Sequence, residues 1–247
     1  LMSLKKIFLK TKLTYKIYLF YNLYIRHKGF QKRTRYSQWG EDQFIIDFFK
    51  DKKKGIYFDV GCFHPFMYSN TCLLHNKGWR GVNIDINPTT IDLFNIVRPK
   101  DINLCTAIDE NKSEFKFYYD DPFSPLNTLD KEFYEDSKEA HFKKNKKESF
   151  VGEIVKNVKS KTIDEILEIS NLYTNIDFLN IDIEGMDFKT LKQLVPKKLS
   201  PILISIETHD PANTKLRDCD QIISFLKENN YRIYKRVGPS TLFNINK

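Results

Sequence analysis

No aspartate or glutamate precedes Glu41, whereas Lys5, Lys6, Lys10, Lys12, Lys16, Arg26, Lys28, Lys32, Arg33 and Arg35 all do. These ten basic residues exceed the formal net charge of +8, so the rest of the chain sums to −2. A body so close to neutral lacks the basic footprint of a nucleic-acid binder, and the basicity belongs to an N-terminal arm over residues 1–35. Long apolar runs are also missing. The longest in the arm, Ile17 to Ile25, is interrupted by Asn22 and rich in tyrosine, too short to span a bilayer. A secretory signal needs a cleaner apolar run followed by small residues, and neither is present. The four cysteines (Cys62, Cys72, Cys105 and Cys219) have no paired metal spacing. They read as small core residues in a reducing compartment, so a cytoplasmic location is expected. Finally, no Gly-x-Gly-x-x-Gly occurs, which excludes the dinucleotide fingerprint and leaves no obvious seat for a pyrophosphate.

What is present begins with the arm. From Leu4 to Phe30 it mixes lysine with leucine, isoleucine, phenylalanine and tyrosine. One reading is a basic amphipathic helix lying on an anionic membrane, peripheral at the inner surface, or on a partner. The preferred reading is a helix packed on its own domain or on a second subunit of a homodimer, because amphipathic helices mostly cover cores.

The length of 247 residues and the aromatic content of 14% suit one α/β domain, residues 36–247. Glu41 and Asp42 open a helix with Phe44, Ile45, Phe48 and Phe49 on its apolar face and Lys52 to Lys54 in its last turn. Ile56 to Val60 reads as a buried strand running into a tight loop and a helix from about Ser69 to Lys77. A second strand, Gly81 to Ile86, is followed by a helix over 89–97 and a third strand, Ile102 to Ala107. Strands are also expected over 114–119, 153–159, 177–183 and 201–206, with helices after Thr162, over 187–194 and over 219–229. The segments 231–237 and 241–245, joined around Gly238-Pro239, read as an antiparallel hairpin at the sheet edge. The fold class is therefore α/β, a Rossmann-like, mostly parallel sheet. The run 120–150, with Pro122, Pro125 and a lysine patch from Lys143 to Lys147, breaks this alternation. It reads either as a substrate lid inserted over the site or as a solvated surface loop.

Asp59 and Gly61 end the first strand, and Asp85 lies near the tip of the second. A strand-end acid about 20 residues after a first glycine loop suits ribose hydroxyls. Gly61 lets backbone approach a ligand closely. Ala107 and Ile108 fall where an adenine face would lie, and Ser69 is either a helix cap or a cofactor contact. With no phosphate cradle, a nucleoside cofactor without phosphates fits best, and S-adenosylmethionine is the common one.

Four segments in order, Tyr36-Ser-Gln-Trp-Gly-Glu-Asp42, Phe58-Asp-Val-Gly61 with Pro65 and Ser69-Asn-Thr71, Gly78-Trp-Arg-Gly81 leading to Ile84-Asp-Ile-Asn-Pro88, and Asn180-Ile-Asp-Ile-Glu-Gly185, carry a family resemblance. The chain resembles the FkbM-type S-adenosylmethionine-dependent methyltransferases from roughly Tyr36 to Glu207. The resemblance implies a class I methyltransferase fold and O-methylation of a saccharide, either a nucleotide-linked sugar or a polysaccharide unit. The chain departs from the family where Asp85 replaces a glutamate common there, which shortens the reach to ribose. Together these readings place Gln38, Asp59, Gly61, Ser69, Asn70, Asp85, Ala107 and Asp182 around the cofactor. The alternatives are a small-molecule or lipid-linked acceptor, or a non-catalytic cofactor-fold module.

Methyl transfer to a hydroxyl needs the acceptor held in line and its proton removed. The tips of the fourth and fifth central strands carry Asp182, Glu184, Glu207, His209 and Asp210. Either Glu184 or His209 is a general base, with Asp182 positioning the cofactor or the acceptor. Or Asp182, Glu207 and His209 hold Mg²⁺, which binds neighbouring sugar hydroxyls and acidifies one. Or some of these acids cap the following helices, as Asp187 and Asp210 could. His64 reads as shaping the loop beside Pro65; His27, His75 and His141 read as packing or surface residues.

Overall fold

The computed structural model describes residues 11–31, 33–111, 113–119, 127–129, 131–132, 134–135, 154–171, 176–183, 185–195 and 198–246. The start of the arm, His141, Glu184 and most of the insert expected over 120–150 lie outside these residues. The chain opens with α1 (Lys12–Tyr21), which widens into a π-turn (Asn22–Arg26) and then a 3-10 turn (Lys28–Phe30). Next come α2 (Glu41–Phe48), β1 (Ile56–Val60), α3 (Cys72–Asn76), β2 (Arg80–Asp85), α4 (Pro88–Val97), β3 (Ile102–Cys105) and β4 (Ala107–Ile108). The second half runs β5 (Glu114–Tyr119), β6 (Ile154–Lys161), α5 (Ile163–Ser170), β7 (Phe178–Ile181), α6 (Asp187–Leu194) and β8 (Leu203–Glu207). It closes with α7 (Cys219–Glu228), β9 (Tyr231–Val237) and β10 (Ser240–Ile245).

Seven strands form one sheet in the order β3-β2-β1-β7-β8-β10-β9. Strands β3, β2, β1, β7 and β8 are parallel. Strand β10 runs antiparallel to both β8 and β9. The expected C-terminal hairpin is present, and it folds back so that β10 sits between β8 and β9. The chain leaves β1 towards β2 on one side and returns to β7 on the other. That reversal opens a crevice at the carboxyl ends of β1 and β7, where α/β proteins place their ligands.

Period-two alternation explains why β1 is buried on both faces. Phe58 and Val60 join a core with α5, α6 and α7 through Ile166, Leu191, Leu194, Ile222 and Leu226. Tyr57 points the other way, into a cluster with Ile45 and Phe49 beside α2, Leu74 of α3 and Trp79. Local signals set the ends of the helices. Thr162 and Glu165 close a reciprocal capping box on α5. Asn87 caps α4, which starts with Pro88.

Several boundaries differ from those expected. Helix α2 ends at Phe48, and Lys52 instead pairs with Asp177 at 2.5 Å, tying the start of β1 to the residue before β7. Helix α3 starts at Cys72, not Ser69. The third strand ends at Cys105: Thr106 interrupts the ladder, and Ala107–Ile108 pair with β6 in a second, three-stranded sheet, β4-β6-β5. Of the cysteines, Cys62, Cys72 and Cys219 are buried, but Cys105 is exposed.

The described part of the arm packs on its own domain. Tyr18, Leu19 and Leu23 bury against Leu93, Ile96 and Val97 of α4, and the Tyr15 hydroxyl donates to Asp92 at 2.7 Å. No helix among the described residues is long and apolar enough to cross a membrane.

Candidate active site

A pocket occupies the crevice. Its walls come from Gln38 before α2, Asp59 to Phe63 and Tyr68 to Asn70 after β1, Ile84 to Asn87 after β2, and Thr106 to Ile108. Asn180, Asp182, Ile183 and Met186 close it from β7, Glu207 from β8, and Phe115 with Asn127 to Leu129 from the insert side. The sequence-predicted residues Gln38, Asp59, Gly61, Ser69, Asn70, Asp85, Ala107 and Asp182 therefore all meet in one cavity. Thr128 exchanges backbone hydrogen bonds with Tyr118 of β5, so part of the expected insert is fixed to the pocket wall.

Each contribution has a local cause. The turn 36–40 is held by the acids that follow it. Asp42 accepts from the Tyr36 amide and the Ser37 hydroxyl, while Glu41 accepts from the Trp39 amide and the Ser240 hydroxyl. Both acids are buried in that work, and Gln38, between the held residues Ser37 and Trp39, is left exposed at the cavity. Gly61 has φ of +80°, and a β-carbon there would overlap the carbonyl oxygen of Asp182. The close approach expected with a ligand is thus an approach between the ends of β1 and β7.

Asp59 acts as a bracket. Its Oδ2 accepts from Thr71 at 2.6 Å and its Oδ1 from Asn180 Nδ2 at 2.9 Å; Asn70 Nδ2 in turn donates to Asn180 Oδ1 at 2.9 Å. The first strand, the loop before α3 and the fourth central strand are joined through one carboxylate, whose pKa burial pushes up. Beneath it lies Arg98, fully buried at the end of α4. Its Nη1 donates to Thr71 at 2.9 Å, and its Nη2 donates to the Pro65 carbonyl at 2.9 Å and to Ser69 Oγ at 3.1 Å. Ser69 is therefore a partner of Arg98 rather than a helix cap. The Arg98 cation also lies 4.7 Å from the Phe94 ring centroid. Nothing in the sequence distinguishes Arg98 from a solvated helix-end arginine. Asn180 had a faint signal, a lone amide in the apolar run of β7.

Asp85 accepts from the Phe63 amide at 3.0 Å and from the Asn87 amide at 2.8 Å. The Ile86 backbone amide also favours its ionised form, and the carboxylate still lines the cavity. Burial pushes its carboxyl up to about 6. The loop from Phe63 to Tyr68 is taut, with both end residues at positive φ. His64 shapes it, its Nδ1 accepting from the Phe66 and Met67 amides, and burial lowers its pKa to about 3.

The far end of the pocket departs from the sequence reading. His209 lies outside the lining; its Nδ1 bonds the Thr208 hydroxyl at 2.8 Å, which bonds Thr241 at 2.6 Å. Burial, then Arg236 and Lys215, lower its pKa. Among the described residues no three His, Cys, Asp or Glu side chains converge to hold a metal, so Asp182, Glu207 and His209 do not form the expected Mg²⁺ set. Asp182 and Glu207 do face the cavity. Asp187 is buried at the start of α6, accepting from the Ile183 amide, and Asp210 accepts from the Thr214 amide. Both thus do structural work in turns.

The methyltransferase FkbM domain matches residues 59–233, more than half of the chain. The chain belongs to the FkbM methyltransferase family. No curated protein and no solved structure matches it. Family membership makes the protein a methyltransferase, and the sheet order and crevice are those its Rossmann-like fold requires. The FkbM match begins at Asp59, the bracket residue, and takes in the lining residues from Asp59 through Glu207. Gln38 and the arm lie before it.

Proposed function

We propose that the protein is an S-adenosylmethionine-dependent O-methyltransferase acting on a saccharide hydroxyl, carried on a nucleotide-linked sugar or a polysaccharide unit. The observation that carries this reading is Asp85, a strand-tip carboxylate lining the same cavity as the small and apolar wall of Ala107 and Ile108. A ribose diol and an adenine face ask for that pairing, and the chain offers no glycine cradle for a pyrophosphate. The residues present therefore fit the cofactor. Asp85 would hold the ribose, Thr106 to Ile108 would flank the base, and Gln38, Asn70 and Asp182, which also line the cavity, would face the amino-acid part. Bound there, S-adenosylmethionine supplies an electrophilic methyl group.

The acceptor reading rests on family membership and on the polar groups of the remaining wall. Asn127 and Thr128 put an amide and a hydroxyl residue on that wall, polar types suited to a hydroxyl-rich ligand. A sugar hydroxyl must lose a proton as it attacks. Carboxylates at the β7 and β8 ends would take it. We assign that role to Glu184, two residues beyond Asp182, with Asp182 orienting the reactants.

The reading is tested by incubating the protein with S-adenosylmethionine labelled in its methyl group and a panel of sugar nucleotides and oligosaccharides. Label transferred to a base-stable ether on a sugar supports it. Transfer only to amines, carboxylates or protein would replace it.

A further inference from the structure

Among the described residues, helix α1 packs on the domain through one side. Tyr18, Leu19 and Leu23 bury against α4. The opposite side carries Leu13, Ile17, Phe20 and Tyr24, spaced by four, three and four residues, so they form one stripe along α1 into the π-turn. These side chains are 70%, 50%, 51% and 45% exposed, and Ile25 beside them is 61% exposed. Phe20 and Tyr24 stack at 5.6 Å, forming a continuous aromatic surface. Single exposed apolar residues are ordinary, but a stripe of this length on one helix is not. Lys12, Lys16, Arg26 and Lys28 are exposed on the same arm, and no acid lies among them.

We propose that this outward face is a docking surface for an anionic lipid bilayer. The charge pattern selects the occupant. A second copy of the chain would bring the same acid-free, basic arm against Lys12 and Lys16, so a symmetric pairing sets like charges against each other. An anionic bilayer takes both features together. The aromatic and aliphatic side chains enter the boundary between headgroups and acyl chains, while the lysines meet the lipid phosphates. The arm also reaches the pocket. Phe30 packs edge-on against Tyr68 at 5.9 Å, His27 lies 5.2 Å from His64, and Tyr68 lines the cavity. The docked arm would thus rest against the loop that forms the pocket wall.

The test is co-sedimentation of the full chain with vesicles of phosphatidylcholine alone and of phosphatidylcholine with phosphatidylglycerol. Binding is expected to the mixed vesicles, at least about tenfold tighter than to the neutral ones, and to weaken in high salt. Two double variants dissect it, Lys12→Glu with Lys16→Glu and Ile17→Ser with Phe20→Ser. All four side chains are exposed, so circular dichroism and thermal unfolding should match the parent. Each variant should lose at least about tenfold in vesicle affinity. Four results would overturn the proposal. One is no binding to either vesicle by the full chain. Another is equal binding to both. A third is a serine variant that binds as the parent does while the glutamate variant fails, which would mark the arm as a charge-only binder of polyanions. The last is a dimer of the parent in light scattering that the serine variant abolishes, which would make the stripe a self-interface.

Discussion

At the β1–β2 end of the pocket, polar groups are tied from element to element. Asp59 joins Thr71 to Asn180, Asn180 holds Asn70, Arg98 holds Thr71, Ser69 and Pro65, and Asp85 holds the amides of Phe63 and Asn87. Asp59, Thr71 and Arg98 are almost completely buried. The β7–β8 end is more open. Asp182, Ile183 and Glu207 are only partly buried, Gly185 is exposed, and the chain leaves the sheet there in turns held by Asp187 and Asp210. Under the proposed function the contrast would separate two tasks. A nucleoside is the same in every turnover and rewards a site fixed in advance. An acceptor needs its oxygen brought in line with the methyl group, which is work for strand-end loops on a rigid base.

The largest effect is expected at the open end. Glu184→Gln should lower turnover by about 10²–10⁴ and leave cofactor affinity nearly unchanged, because general-base catalysis acts on the chemical step. Glu207→Gln in parallel shows whether the proton goes to β8 instead, and His209→Ala, outside the pocket, should leave turnover within about threefold of the parent. A large loss in His209→Ala alone would erase the distinction drawn between lining and non-lining residues. Next in size is Arg98→Met. It strips a buried cation from Thr71, Ser69 and Pro65 and should cost about 3–5 kcal/mol in urea unfolding. A loss under about 1 kcal/mol would mean the tied end is not held by this network.

A smaller effect is expected from pH. Burial raises Asp85 and Asp187 from the ordinary 3.8 to about 6, so their ionisation opposes folding. Their contribution to the stability of the ligand-free protein is full below the ordinary value and is lost as pH rises through about 6. In the proposed contact ribose hydroxyls would donate to the ionised Asp85, so cofactor affinity should run the other way. It should fall as pH drops below about 6, with proton release on binding in that range. Affinity that is flat between pH 5 and 8, measured by calorimetry in two buffers, would remove Asp85 from the ribose contact.

The fold was legible where a local rule sufficed. Apolar β1 and β7, the acids that open α2, and the Thr162–Glu165 box each carry their own signal. Sequence alternation could not reveal a change of partner. Ile102 to Ala107 reads as one strand, yet Thr106 turns away, its amide donating to the Asp85 carbonyl and its hydroxyl to the Lys159 carbonyl, and the chain changes sheets. The same limit applies to the site. Residues at strand tips were found because position alone places them in a crevice. Arg98 was missed because its partners, Pro65, Ser69 and Thr71, are about 30 residues away and meet it only after folding. His209 lies outside the lining, since a strand tip does not say which way a side chain turns, and its Nδ1 bonds the Thr208 hydroxyl.

Asp85 and the tied end of the pocket are proposed to form a nucleoside site for S-adenosylmethionine. Calorimetric titration of S-adenosylhomocysteine into the parent and into Asp85→Ala tests it most directly. The account predicts one binding site in the parent and an affinity about ten- to a hundredfold weaker in a folded Asp85→Ala protein, the loss of about 1.5–3 kcal/mol of charged hydrogen bonding. No binding to the parent, or equal affinity in the folded variant, would contradict it.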